Sequence, residues 1–236
     1  MKRFINIILL TISLFNVAFA QQDIVKYTRN IGDFNSLKVV DGINVVYQQK
    51  ADSIGYATFT TTAEKAALIM LSNNNNTLNI QISTDGTGVA NLPILYVYSQ
   101  TLINIENTGD STVCAYNVAP TDRFQARLIG DGNMIISNIN ASVVKGSSLT
   151  GSGTLTLSGK CQKLTLNTKS TGQILANKLI AEDVKCILFG TGDMKCHSDN
   201  KIMVIGSGSG SIYYSGKATD IINRSFGINI NPVEDK

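Results

Sequence analysis

The sequence predicts an all-β fold: a right-handed, single-stranded parallel β-helix, or β-solenoid, with coils of about 20 residues. Three observations predict it. A Gly-x-Gly turn recurs at Gly130-Asp131-Gly132, Gly151-Ser152-Gly153, Gly190-Thr191-Gly192 and Gly208-Ser209-Gly210, with weaker copies at Gly109-Asp110-Ser111 and Ser170-Thr171-Gly172. The first positions step by 21, 21, 19, 20 and 18 residues. Second, the residues after each turn align in columns. Two places beyond the third turn position stand Val113, Met134, Leu155, Ile174, Met194 and Ile212; four places beyond stand Ala115, Ile136, Leu157, Ala176, Cys196 and Tyr214. Polar residues fall between and after them, so each turn opens a strand with one buried face. Third, glycine returns too often, and the apolar period is wrong, for helices. Strands that run the same way one coil apart stack in parallel, and the usual crossover preference makes the coil right-handed.

In chain order, residues 1–20 read as a secretory signal peptide. Lys2 and Arg3 form a charged start, Phe4 to Phe15 is apolar apart from Asn6, Thr11 and Ser13, and Ala18-Phe19-Ala20 is a small-x-small cleavage site. Cleavage would leave Gln21 first. The apolar run is shorter than a membrane span requires, and no later stretch is apolar enough to cross. Without Lys2 and Arg3, the 20 basic residues fall to 18 against 17 acidic ones, a net charge of +1. No basic patch stands out, so nucleic acid is not an implied partner. Charged residues make up only 16% of the chain, which leaves Ser, Thr, Asn and Gln to cover the surface.

Residues 21–108 form a strand-rich half without the Gly-x-Gly turn. Strands are expected from Leu37 to Tyr47, over Tyr56 to Thr62, over Thr77 to Ile82 and within Leu92 to Ile105. The Asn73 to Asn76 run suits left-handed turn angles. Ala63 to Leu71 fits either a turn or two of helix or a strand, and the strand is preferred. This half is expected to continue the coil and cap its open N-terminal end. Residues 109–230 hold the repeat coils, and residues 231–236 are a polar tail.

The segment Phe34-x-x-Leu37-x-Val39-x-Asp41-Gly42-Ile43-Asn44-Val45 resembles the GIN-type head domain of auto-transporter adhesins, a family named for its Gly-Ile-Asn motif. Leu78 to Ile82 and Tyr96 to Ser111 resemble later strands of that family, so the likeness covers roughly residues 30–215. It implies a secreted β-helical protein of Gram-negative type and brings no catalytic residues with it.

In the repeat coils, glycine is expected at corners that require positive φ. The middle residues Asp110, Asp131, Ser152, Thr171, Thr191 and Ser209 are expected to bond their own turn. Asp110 and Asp131 share a corner in successive coils and could also form an acid pair for polysaccharide chemistry; turn capping explains the whole column with one cause. Cys114, Cys161, Cys186 and Cys196 remain after cleavage. They are read as free thiols acting as small hydrophobes, with a disulfide as the alternative in an oxidising compartment. His197, the only histidine, falls in an outward column and reads as solvated surface, with no metal site beside Cys196. One outward column, Cys114, Ile135, Thr156, Leu175, Lys195 and Tyr213, is less polar than its neighbours, so Ile135, Leu175 and Tyr213 are a candidate interface.

Together these readings give a secreted or envelope, non-enzymatic binding scaffold without cofactor. Its partner would be a protein or glycan at the cell surface or in the periplasm, or a second copy of the chain. The alternatives are a polysaccharide-active β-helical enzyme and a structural envelope-assembly protein.

Overall fold

The computed structural model describes residues 23–86 and 88–233. The expected signal peptide and its cleavage site lie outside the described residues. The chain opens with β1 (Val25–Asn30), β2 (Ser36–Val39), β3 (Val45–Gln48) and β4 (Tyr56–Thr61). It continues through α1 (Ala63–Leu68), β5 (Ile69–Asn74), β6 (Thr77–Ile82), β7 (Leu95–Tyr98), β8 (Asn104–Asn107) and β9 (Thr112–Tyr116). The repeat coils follow as β10 (Thr121–Leu128), β11 (Asn133–Ser148), β12 (Thr154–Thr168), β13 (Gln173–Gly190) and β14 (Asp193–Gly208). The last coil is β15 (Ser211–Ser215), β16 (Asp220–Phe226) and β17 (Asn229–Pro232).

These strands form a β-solenoid of about 6 turns. Parallel pairing aligns Val113, Met134, Leu155, Ile174, Met194, Ile212 and Ile230, one residue per coil. The first six of these side chains are fully buried, so the apolar column read from the sequence is one wall of the core. The opposite wall aligns Ile105, Ala126, Gly146, Leu166, Cys186 and Val204. Each buried aliphatic side chain contributes roughly 1.5–3 kcal/mol relative to exposure, and each packs on its equivalents one coil above and below. Strands β11 to β14 are 15 to 18 residues long. They run as continuous strands through the corner between the faces. Asn138 (φ 60) and Gly159 (φ 132) make that bend while the ladder continues on either side of a register shift.

The N-terminal half continues the coil, out of chain order. β3 lies between β7 and β9, and β2 lies between β6 and β8, all parallel. The terminal coil in space is therefore β6–β7, and the chain enters one coil further in. β4 adds antiparallel to β7, and β1 adds antiparallel to β4. The β5–β6 hairpin turns at Asn75 (φ 51) and Asn76 (φ 59), the positive angles that a two-residue hairpin loop demands. Ala63 to Leu68 is a helix, which corrects the strand preferred from sequence. Ala, Glu, Lys and Leu are strong helix formers. The helix ends on Arg29, whose guanidinium donates to the carbonyls of Ala66 (2.7 Å) and Ile69 (2.9 Å). Ala66 and Ile69 are buried against the core, so this segment closes the apolar end of the solenoid.

Candidate functional site

The Gly-Ile-Asn stretch turns the chain from β2 into β3, with Asp41 at φ 72. Ile43 is fully buried. Asn44 ties three coils together: its Oδ1 accepts from Thr112 N (2.8 Å) and its carbonyl accepts from Leu95 N (3.0 Å). Asp41 Oδ2 accepts from Ile82 N at 3.1 Å. The motif fastens the inserted coil to its neighbours on both sides.

The corner column behaves differently from its sequence reading. Asp131 Oδ1 accepts from both the backbone N and the Oγ of Ser152, each at 2.8 Å. Thr171 Oγ1 donates to the carbonyl of Gly151 at 3.1 Å. These side chains bridge to adjacent coils, where capping of their own turns was expected. The turn's own donors are already engaged, as when Gly132 N donates to Gly109 O. The two Ser152 bonds hold the exposed Asp131 carboxyl below its ordinary value, opposite to the raised value a general acid requires. Asp110 sits one coil back, against Gly42.

Ile135, Leu175 and Tyr213 do share one outward row, in the order Ile135, Thr156, Leu175, Lys195, Tyr213. Thr156 and Lys195 interrupt it, so its apolar members do not touch as a continuous stripe. Cys114, placed in the same outward row, is buried, and the neighbouring Cys114 thiol raises the Tyr116 hydroxyl above its ordinary value. All four cysteines are free thiols. Cys186 and Cys196 lie near each other in the core, and the Cys196 thiol, followed by burial, drives the Cys186 thiol well above its ordinary value. His197 is not simple solvated surface: its side chain is 15% exposed. Nδ1 lies 3.0 Å from Ser215 Oγ and Nε2 lies 3.3 Å from Asp199 Oδ1. Among the described residues no group of three or more His, Cys, Asp or Glu is arranged to hold a metal ion.

A groove of about 790 Å³ follows the corner side between the two core walls. Its floor is the register column Ala141, Cys161 and Ala181, with Thr121 before and Ser198 after. Small side chains on the floor, and the bends at Asn138 and Gly159, set this side back from its walls. Lys160, Ile180, Gln162 and Glu182 rise along it, and Asp122 and Asp199 stand toward its ends. Among the lining residues three carboxylates face one ammonium. Ile180 is 42% exposed in the middle. The Cys161 thiol is pushed up to about 12, first by burial and then by the Glu182 carboxylate. Sequence reasoning missed this groove because it lies where the repeat register shifts.

The family model for "Putative auto-transporter adhesin, head GIN domain" matches residues 33–218. No curated protein matches the chain. Among solved structures, a "putative adhesin" from Bacteroides fragilis is similar at TM-score 0.80 and 25% identity, with 90% of this chain and 98% of that one covered. A "putative lipid binding protein" from Parabacteroides distasonis aligns at TM-score 0.71 and 18% identity, covering 90% and 98%. A "putative adhesin" from Parabacteroides merdae aligns at TM-score 0.63 and 16% identity, covering 90% and 97%. The last two likenesses are of fold.

Proposed function

Since the chain belongs to the family of "putative auto-transporter adhesin, head GIN domain" proteins, we propose that it is an exported, non-enzymatic binding scaffold. It holds an extended polar ligand, a protein segment or a glycan chain, along the corner groove. The observation that carries this reading is the groove itself: a continuous 790 Å³ trough crossing successive coils, a shape suited to a linear ligand more than to a compact one. Its walls recur once per coil in position but not in residue, with Asn140, Lys160 and Ile180 in one row, so successive stretches of ligand would meet polar, charged and apolar partners in turn. Family and neighbours carry adhesin or lipid-binding labels, which points away from enzymatic activity.

Export is part of the same proposal and rests on the Lys2 to Ala20 leader. Mass spectrometry of the mature protein should find Gln21 as the first residue; Met1 at that place would refute it. For the binding role, envelope fractions are passed over immobilised protein and over its Ile180→Asp and Glu182→Ala variants. Capture by the parent and loss with folded groove variants supports the reading. Equal capture by all three overturns the groove as the site. New reducing or unsaturated ends on a glycan panel would instead establish a polysaccharide-active enzyme.

A further inference from the structure

We propose that the flat outer face at the capped end of the solenoid is a second binding site, specific for the pyranose rings of a glycan chain. The inward residues of this face build the core wall, so alternate residues of β1, β4, β7, β3 and β9 point outward. Register brings them into rows. Asn30 pairs with Tyr56, and Tyr98 pairs with Gln48, which pairs with Tyr116. Thr58 stands opposite Tyr96 in the antiparallel β4–β7 ladder, and just beyond that ladder Gly55 N donates to Tyr98 O at 3.0 Å. One row therefore reads Tyr98, Gln48, Tyr116, with the Asn30–Tyr56 pair on the adjoining strands, and the next reads Thr28, Thr58, Tyr96, Val46. Tyr56, Tyr96 and Tyr116 are 39%, 38% and 37% exposed, and Ile94 beside them is 47% exposed. Lys26, Gln48, Thr58, Ile94, Tyr96 and Tyr98 line a shallow pocket of about 470 Å³ in the middle of this face.

The chemistry selects the ligand. A pyranose ring presents a C–H face that packs on an aromatic ring and a hydroxyl edge that needs amide and hydroxyl partners. The rows supply both, with Gln48 between Tyr98 and Tyr116 and Thr58 beside Tyr96. Tyrosine gives broad contact area at low cost in conformational entropy. Tyr98 and Tyr116 stand two strands apart in one row, roughly 9.6 Å, close to the length of two sugar units in an extended chain. Lys26 is the only charged side chain among the described lining residues, so the site takes a neutral sugar or, with Lys26 engaged, a uronic acid.

The test titrates the mature protein with linear oligomers of glucose, of mannose and of galacturonic acid, followed by calorimetry. At least one should bind. Tyr96→Ala and Tyr98→Ala should each weaken it by roughly tenfold or more, as expected for loss of one aromatic contact with its hydrogen bond. Tyr98→Phe should retain most of the affinity. Lys26→Ala should weaken only the galacturonate oligomer. Gln48→Ala gives an independent arm should a tyrosine variant fail to fold. Saccharide affinity that survives Ile180→Asp, in the corner groove, belongs to the tyrosine face. The proposal is overturned if no oligomer binds, or if folded variants at Tyr96, Tyr98 and Gln48 all bind as the parent does. It is also overturned if Ile180→Asp abolishes saccharide binding, which would place the sugar in the groove. Envelope capture through the groove can survive each of these failures, so the two proposals stand or fall separately.

Discussion

The carbonyl oxygen of Gly132 occupies the space where a Cβ on Gly153 would stand. The same approach repeats between Gly153 and Gly172, Gly172 and Gly192, and Gly192 and Gly210. Across it Thr154 N donates to Gly132 O at 3.2 Å. The first glycine of the turn has the job expected of it, since Gly130 sits at φ 124. The second does not. Gly132 and Gly153 have no positive φ; they are glycine because successive coils touch backbone to backbone there.

Gly153→Ala should therefore destabilise the protein although its φ suits alanine. The added methyl must displace the neighbouring turn, and overpacking of this kind costs roughly 1–3 kcal/mol. Denaturant melts of the variant and parent measure it. An unchanged midpoint would show that the coils can part without cost.

Leu155 lies in the middle of the core column, paired with Met134 and Ile174, and is fully buried. Leu155→Ala should cost roughly 2–5 kcal/mol, the lost transfer energy plus the cavity left behind. The same melts test it, and a loss below about 1 kcal/mol would mean that Met134 and its neighbours collapse into the gap.

Much of this was legible in the sequence because a solenoid repeats its own chemistry. The column from Val113 to Ile212, and the Asn75-Asn76 turn, could be placed from residue type and spacing alone. What stayed hidden depended on which strands meet. Leu37 and Val39 alternate in the same way wherever β2 pairs, so period 2 could not show that it slots between β6 and β8. The helix from Ala63 is six residues long, too short to leave a periodic signal, and its cap is Arg29, 37 residues from Ala66. The groove floor uses Ala141, Cys161 and Ala181 on the far side of the register shifts, where counting from the glycines fails. Tyr98, Gln48 and Tyr116 have no common spacing, and only the out-of-order threading puts them in one row.

The groove thiol gives a prediction about reactivity. With its value raised from 9.0 to about 12, Cys161 is almost wholly protonated near pH 8, and the thiolate is the reactive form. Brief iodoacetamide treatment of the native protein should leave Cys161 largely unmodified, while the denatured chain is alkylated at all four cysteines. The sign of the stability effect follows. The folded state holds this proton more tightly, so the contribution is intact below pH 9 and is lost as pH rises from 9.0 toward about 12. Rapid native alkylation at neutral pH would show a thiolate stabilised in the groove.

Bridging and catalysis at the corner imply opposite titrations of Asp131. Asp131 receives two hydrogen bonds from Ser152, and hydrogen bonds to the charged form favour ionisation. Its carboxyl should titrate below the ordinary 3.8 when followed by carbon-detected NMR. Ser152→Ala removes the hydroxyl donor but keeps the backbone N–H, so the value should move part of the way back up. Because the folded value is depressed, the associated stability is present above pH 3.8 and is lost as pH falls through the lower folded value. Asp131→Ser, which installs the residue type found at the same corner in Ser152 and Ser209, should leave glycan-panel chemistry and envelope capture unchanged. A polysaccharide acid catalyst would behave in the opposite way, with a raised value that holds its proton near neutrality and an activity lost on that substitution. If Asp131 titrates upward, or Asp131→Ser removes an activity from a folded protein, the Asp110–Asp131 corner becomes the functional centre and the bridging role of its carboxylates becomes secondary.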